Sequence, residues 1–392
     1  MYLLGITKKE ILKVLYKSII YAKYPSILLY PILENKENQY HLKKAIHWLK
    51  NAQDSSLSAG IPAHFNLLSG KWGNPYRETT GYIIPTFIVY SKISKDKDLF
   101  ERAKRMGDWE IEVQDEGGGI GEIRENGNVV LKIFNTGQVI LGWCALYDET
   151  KEKKYLDAII KASNWIVFNQ FIDGSWQNFS NNGGKTFDSR VAWSLLEAYK
   201  RTNDHKYKIA AEKNLKWTLG MQTDNGWFKE TSLGKINRPW THLIAYTIGG
   251  IVDCAKILND KNLIKEAQKP ALEIANYFLA LPKDKCLPCT FNPEWQSDDN
   301  YSCLTGNCQM AIIWRDLFLI TGHENFLKAS EKMISQMKGL QFLSGSKDIA
   351  GGLPGSFPID GAYVKYGIPN WGVKFFADML ISIDNKNNNL LG

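Results

Sequence analysis

Six stretches of this chain are apolar almost all the way round, and between them run stretches that are apolar on one face only. The first kind comprises GYIIPTFIVYSKI, GQVILGWCALYDE, SRVAWSLLEAYKR, HLIAYTIGGIVDCAKI, GNCQMAIIWRDLFLI and WGVKFFADMLI. Each carries few charges and is predicted to be a helix buried on every side. The second kind, such as DKDLFERAKRMGDWEIEVQ and EKKYLDAIIKASNWIVFNQ, sets Lys and Glu on one face, which predicts outer amphipathic helices. Polar turns (SKDKD, DETKEKK, TNDHK, LNDKN, TGHE) separate each inner helix from the next outer one. Thr80, Thr136, Asp188, Thr241, Thr305 and Asn370 stand just before the inner segments. They are predicted to be N-caps, because a side-chain oxygen can accept an unpaired N–H of the first turn. Six outer–inner pairs give an all-α fold, an (α/α)6 toroid with little or no β-sheet.

A second regularity supports the first. Trp48/Gln53, Trp109/Gln114, Trp165/Gln170 and Trp217/Gln222 repeat one spacing, and their Trp residues lie 61, 56 and 52 positions apart. A period of that size marks a repeat whose unit is a helix pair. Each hairpin buries its apolar face only against its neighbours, so residues 1–392 are expected to form a single domain. Within it, 1–35 would be an N-terminal helical extension and 36–385 the six hairpins.

Bulk properties narrow the function. The net charge of +7 is spread as Lys over the outer helices, with no basic cluster among aromatics, so no nucleic-acid partner is expected. No run of eighteen or more apolar residues exists, so no transmembrane segment is expected. The start of the chain lacks a continuous apolar h-region and a small-residue cleavage site, so a cytoplasmic location is expected. Residues 1–35 could still touch a membrane surface or polysaccharide machinery as a basic amphipathic helix. The six Cys are read as reduced thiols. Cys286, Cys289, Cys303 and Cys308 have an order that could hold a structural zinc, but not a common finger or ribbon spacing, so no cofactor is expected. The 13 Trp and 18 Tyr suit a sugar cleft, where flat faces cover a pyranose, although many must be core.

The stretch KASNWIVFNQFIDGSW (161–176) resembles the QW repeat of triterpene cyclases, a brace also found in protein prenyltransferase β-subunits. The acidic D-x-D-D proton donor of squalene–hopene cyclases is absent, which counts against terpene cyclisation. Taken whole, the chain is similar to six-hairpin toroid proteins of bacterial surface-polysaccharide gene clusters. The similarity rests on RETTGYIIPTF, FNTGQVILGW, SRVAWSLLE, THLIAYT, SCLTGNCQMAI, GSFPIDGAY and PNWGVKFFAD. It implies a carbohydrate context and assigns no reaction.

In a toroid the six inner helices run parallel, so their N-termini open on one face and direct six positive dipole ends there. Arg77, Arg190, His242 and Lys374 add charge or donors, which points to an anionic, uronic-acid-type glycan. Arg190 could instead pair with Asp188. Glu78 is the leading catalytic carboxyl. Asp360 is expected to face it, since hairpins one and six become adjacent when the ring closes, and two carboxyls flanking a bond is the arrangement of glycoside hydrolysis. Asp188, Asp298 and Asp299 are reserves. His242, with Tyr76, Tyr363 and Tyr366, supports uronate lyase or C5-epimerase chemistry instead. Asn135, Gln138, Asn307, Gln309 and Asn370 would orient sugar hydroxyls, with Trp240 and Trp371 as aromatic contacts. Cys303 is read as buried structure. Two rival classes remain: an isoprenoid cyclase or prenyltransferase-like enzyme, and a non-catalytic glycan-binding toroid.

Overall fold

The structure, a computed structural model, describes residues 8–25, 36–123, 127–234 and 238–384. After an N-terminal helix α1 (Lys8–Lys23), outer and inner helices alternate. The outer ones are α2 (Asn38–Asp54), α4 (Lys97–Glu112), α6 (Lys153–Phe168), α8 (His205–Gly220), α10 (Lys261–Ala280) and α12 (Glu324–Gly339). The inner ones are α3 (Arg77–Ser94), α5 (Ile133–Thr150), α7 (Ser189–Thr202), α9 (Thr241–Leu258), α11 (Leu304–Thr321) and α13 (Asn370–Asp384). Each inner helix packs on the next, and α13 returns to α3, so the ring closes. This is the (α/α)6 toroid. Helix α9 alone among the described residues is long and apolar enough to cross a membrane, and most of it is buried inside the ring.

The Trp/Gln repeat is the brace between neighbouring hairpins. Gln114 Nε2 donates to Gly118 O (3.1 Å) in its own turn and to Ala158 O (3.2 Å) on the next outer helix. Gln170 does the same to Gly174 O (3.1 Å) and Ala210 O (2.8 Å), and Gln222 to Gly226 O (3.4 Å) and Glu266 O (3.0 Å). Gln53 reaches Ala59 O and Arg102 O. Gln341 closes the ring by bonding Gly351 O and His41 O of α2, although no Trp precedes it at the repeat spacing. Each bond contributes roughly 0.5–1.5 kcal/mol net, but leaving these carbonyls unpaired under the next helix would cost more. Gly174 sits at φ +93°, and a Cβ there would meet Lys213 O at 2.3 Å, so no other residue fits the turn. The indoles of Trp109, Trp165 and Trp217 lie flat on Gly60, Gly119 and Gly184.

One predicted detail changes. Helices α3 and α5 begin earlier than expected, with Tyr76 and Lys132 as their N-caps. The hydroxyls of Thr80 and Thr136 therefore turn to the loops. They donate to Tyr76 O and Lys132 O and accept the N–H of Ile61 and Ile120 (3.0 and 2.8 Å). Side-chain caps occur on outer helices at Asp96, Asp204, Asp260 and His323, and on one inner helix, α11, at Cys303. The little β-sheet expected is, among the described residues, seven short strands in the loops at the N-terminal face of the ring. β1 (His64–Asn66) lies between β2 (Lys71–Trp72) and β7 (Gly367–Pro369). β3 (Ile120–Ile123) and β4 (Val129–Lys132) make an antiparallel hairpin, and β5 (Ser302–Cys303) pairs with β6 (Ser356–Phe357).

Candidate active site

Six side chains from three inner-helix starts and the loop before α13 form a cluster under the N-terminal rim. Tyr76 caps α3, Glu78 is in its first turn, Trp240 caps α9, and His242 and Trp371 are the second residues of α9 and α13. Tyr363 comes up from the loop between β6 and β7. Tyr76 O–H donates to Glu78 Oε2 at 2.7 Å. Trp371 Nε1 donates to Tyr363 O–H at 2.8 Å, and the Tyr363 ring stands edge-on to Trp240 and His242 at 5.2 and 5.8 Å. Tyr76 packs against Trp371 at 6.2 Å. Glu78 and His242 are surrounded by protein, yet each keeps some accessible surface.

Burial pushes the Glu78 carboxyl up to about 7; the Tyr76 hydrogen bond and Arg190 pull it down, and Glu122 pushes it further up. Burial lowers His242 to about 4, against its bond to Gln309, and Arg190 lowers it further. His242 Nδ1 lies 2.7 Å from Gln309 Oε1, an acceptor, so Nδ1 carries the proton and Nε2 the lone pair.

Glu122 was not foreseen. It stands on β3, and its charge acts on both Glu78 and Tyr76. The signal was present: GIGEI and VVLKI alternate about an Asn-Gly pair, a hairpin pattern that places residue 122 beside the start of the next inner helix. Tyr246 and Tyr82 were also missed. Tyr246 O–H meets Tyr82 O–H at 3.4 Å, and both rings pack on Phe375. With Arg190 5.0 Å from the Tyr246 ring, these three aromatics from α9, α3 and α13 floor the cluster.

That floor divides the expected single funnel. Arg190, Gln309 and Lys374 line a cavity of about 450 Å³ that runs on along α7 and α9 to Lys200 and Lys256. Glu78, His242 and Trp371 do not line it. Arg190 belongs to both sides: its Nε donates to Gln138 Oε1 at 2.9 Å, its guanidinium stacks on Trp193, and its charge reaches Glu78 and His242. It does not pair with Asp188, whose carboxylate accepts the Lys185 N–H and which burial raises to about 7. Lys374 is fully buried, ion-paired to Asp378 at 2.5 Å, and lowered by that burial.

Other expected site residues lie elsewhere. Asp360 does not face Glu78: Lys13 and Lys17 of α1 hold it at 2.8 and 2.9 Å, so it anchors that helix. Tyr366 is edge-on to Tyr16 on the same side. Arg77 points away from the mouth, toward Gly121 O and the buried Glu110 of α4. Asp298 pairs with Arg238, and Asp299 accepts the Thr290 N–H and hydroxyl. Asn370 is a pin between hairpins, donating to Pro62 O and Thr79 Oγ1, both at 2.9 Å. Asn135 and Asn307 are buried within the inner ring. Cys289 and Cys303 pack together beside Tyr363, Cys286 is half-buried, and Cys308 is buried in the main core. Among the described residues no group of three or more His, Cys, Asp or Glu is arranged to hold a metal.

The chain is thus an (α/α)6 ring with a largely enclosed carboxyl, Glu78, in an aromatic mouth. Residues 79–276 match the β-L-arabinofuranosidase GH127 catalytic domain, and the chain belongs to that glycoside hydrolase family. No curated protein matches the chain significantly. Among solved structures, an unsaturated glucuronyl hydrolase specific for heparin superposes with a TM-score of 0.72 at 17% identity, covering 91% of this chain and 99% of that one. The unsaturated glucuronyl hydrolase of Bacillus sp. GL1, responsible for the degradation of glycosaminoglycan, gives 0.70 at 14% identity, with 89% and 97% covered. That of Streptococcus agalactiae gives 0.66 at 17%, with 90% and 93% covered. At these identities the likeness is one of fold.

Proposed function

We propose that the protein hydrolyses the glycosidic bond of a uronic-acid residue in an anionic bacterial oligosaccharide or polysaccharide, with Glu78 as general acid and Glu122 as its partner carboxyl. The observation that carries this reading is the Glu78 carboxyl, bonded to Tyr76 and held near 7 by burial, with the charge of Glu122 raising it and that of Arg190 lowering it. Glycoside hydrolysis needs two carboxyls whose environments differ, one of them still protonated near neutral pH. Glu78 gives its proton to the glycosidic oxygen as the carbon–oxygen bond breaks. Water adds to the anomeric carbon, and Glu122 takes the proton that water loses. Trp371, Trp240 and Tyr76 offer flat faces to the sugar. Arg190 and the converging helix N-termini favour its carboxylate, and His242 Nε2 accepts a hydroxyl.

The uronic acid is supported by this positive potential and by the names of the structural neighbours; the family's own name points to arabinofuranose. Helix α1 fits a contact with a membrane surface, since its Ile11, Val14 and Leu15 are exposed; residues 1–7 and 26–35 lie outside the described residues. The test is a panel of unsaturated glucuronyl oligosaccharides, saturated glucuronides and β-L-arabinofuranosides, read by mass and ultraviolet absorbance. Release of the uronate with a new reducing end supports the reading, and release of arabinose alone refutes the uronate. A 4,5-unsaturated product from a saturated chain, or solvent deuterium at C5 without cleavage, would replace hydrolysis by elimination or epimerisation centred on His242.

A further inference from the structure

We propose that the cavity beneath the aromatic floor is a second ligand site, and that it takes an amphipathic carboxylate: an aliphatic body with one anionic head. Its volume of about 450 Å³ falls in the roughly 300–1,000 Å³ range of small-molecule sites. Between Arg190 and Lys200 it follows ten residues of α7, about 15 Å at about 1.5 Å per residue. Its middle is walled by Val252, Ile312 and Ile313, which offer a sugar hydroxyl no partner.

Charge sets the orientation. Two buried cations, Arg190 and Lys374, stand at the inner end. One acid, Asp378, is there with them, and it is committed: Lys374 pairs with it at 2.5 Å and Thr86 Oγ1 donates to it at 2.7 Å. Among the described residues Arg190 hydrogen-bonds the neutral amide of Gln138 and lies on the faces of Trp193 and Tyr246, and the acid its charge reaches, Glu78, stands on the other side of the floor. The inner end therefore holds one cation without an acid on its own side of the floor. A buried guanidinium in that position is costly to leave uncompensated, and a carboxylate head offsets it with charge-assisted hydrogen bonds. At the outer end the cations are matched, Lys256 by Asp253 (3.0 Å) and Asp316 (2.7 Å) and Lys200 by Glu197 (3.3 Å), so they do not compete for the head.

The experiment is calorimetric titration of the full chain, without glycan, with decanoate, decylamine (the same tail with a cationic head) and glucuronate (the head without the tail). Decanoate should bind one to one, and the other two at least about tenfold more weakly, a difference of about 1.4 kcal/mol. Gly249→Leu fills the cavity from its wall: a Cβ at Gly249 meets only Ile313, at 3.5 and 3.6 Å, so the backbone accepts it. That variant should lose at least about tenfold in decanoate affinity while keeping its melting temperature and glycoside turnover. Ile312→Phe, run alongside, serves the same purpose should Gly249→Leu fold poorly. No binding of decanoate, equal binding of decylamine, or undiminished binding in both folded variants would overturn the proposal. Because binding is measured without substrate, each of these outcomes leaves the role of Glu78 untouched.

Discussion

Replacing Tyr76 by Phe keeps the ring against Trp371 and removes one hydroxyl, the donor to Glu78 Oε2 at 2.7 Å. That bond favours the ionised carboxyl, and it is one of two influences opposing burial at Glu78. A hydrogen bond to a charged group contributes roughly 1.5–3 kcal/mol, and about 1.36 kcal/mol corresponds to one pKa unit, so its loss should raise Glu78 by about 1–2 units. The sign follows from the acid role. Activity falls as pH rises through the Glu78 value because the proton to be donated is lost. The alkaline limb of kcat/KM, placed near 7 in the native enzyme by Glu78, should therefore move upward by about one unit or more in Tyr76→Phe. The measurement is a kcat/KM profile across neutral and alkaline pH for both proteins on the same glycan. Tyr76 itself does not confuse it, since burial and Glu78 hold its phenol well above its ordinary value. A limb that stays in place, or moves down, would refute the assignment of Glu78 as the titrating acid.

Glu78 and Asp188 are both raised to about 7 in the folded chain, so the stability they support is full below their unfolded values and is lost as pH rises through 7. Thermal melts of Glu78→Gln with Asp188→Asn should accordingly lose less between pH 5 and pH 8 than wild type. Gly174→Ala should lower the melting temperature sharply, by the equivalent of about 2 kcal/mol or more, because it adds strain at positive φ and a Cβ against Lys213 O. Asp360→Asn should leave turnover unchanged and speed proteolysis of α1, since its carboxylate binds Lys13 and Lys17; a collapse in kcat would restore it to the reaction.

What was legible in the sequence was periodic. The inner helices were readable because α9 and its counterparts are apolar on every turn, and the braces because Gln114, Gln170 and Gln222 must each satisfy two carbonyls in the same way. The place of Glu78 under the rim was legible because it falls in the first turn of an inner helix. Its neighbour Arg77 was misread for a geometric reason: one residue is about 100° of helix, enough to turn it from the mouth toward Glu110. Asp360 was misread because its partners, Lys13 and Lys17, come from the far end of the chain. Glu122 was not legible because it stands on the β3–β4 hairpin rather than just before an inner helix. The split of the bore was hidden too, since Tyr82, Tyr246 and Phe375 read as ordinary core residues until three helices bring them together.

The role of Glu78 as proton donor is tested most directly by leaving-group dependence. Wild type and Glu78→Gln should be compared on a uronide with a sugar leaving group and on one with a nitrophenol, which departs without protonation. Loss of a positioned acid costs roughly 10²–10⁴-fold in rate, and the loss should fall on the sugar substrate while the nitrophenyl uronide is cleaved nearly as fast as before. Equal losses on both substrates, or no loss on either, would contradict it.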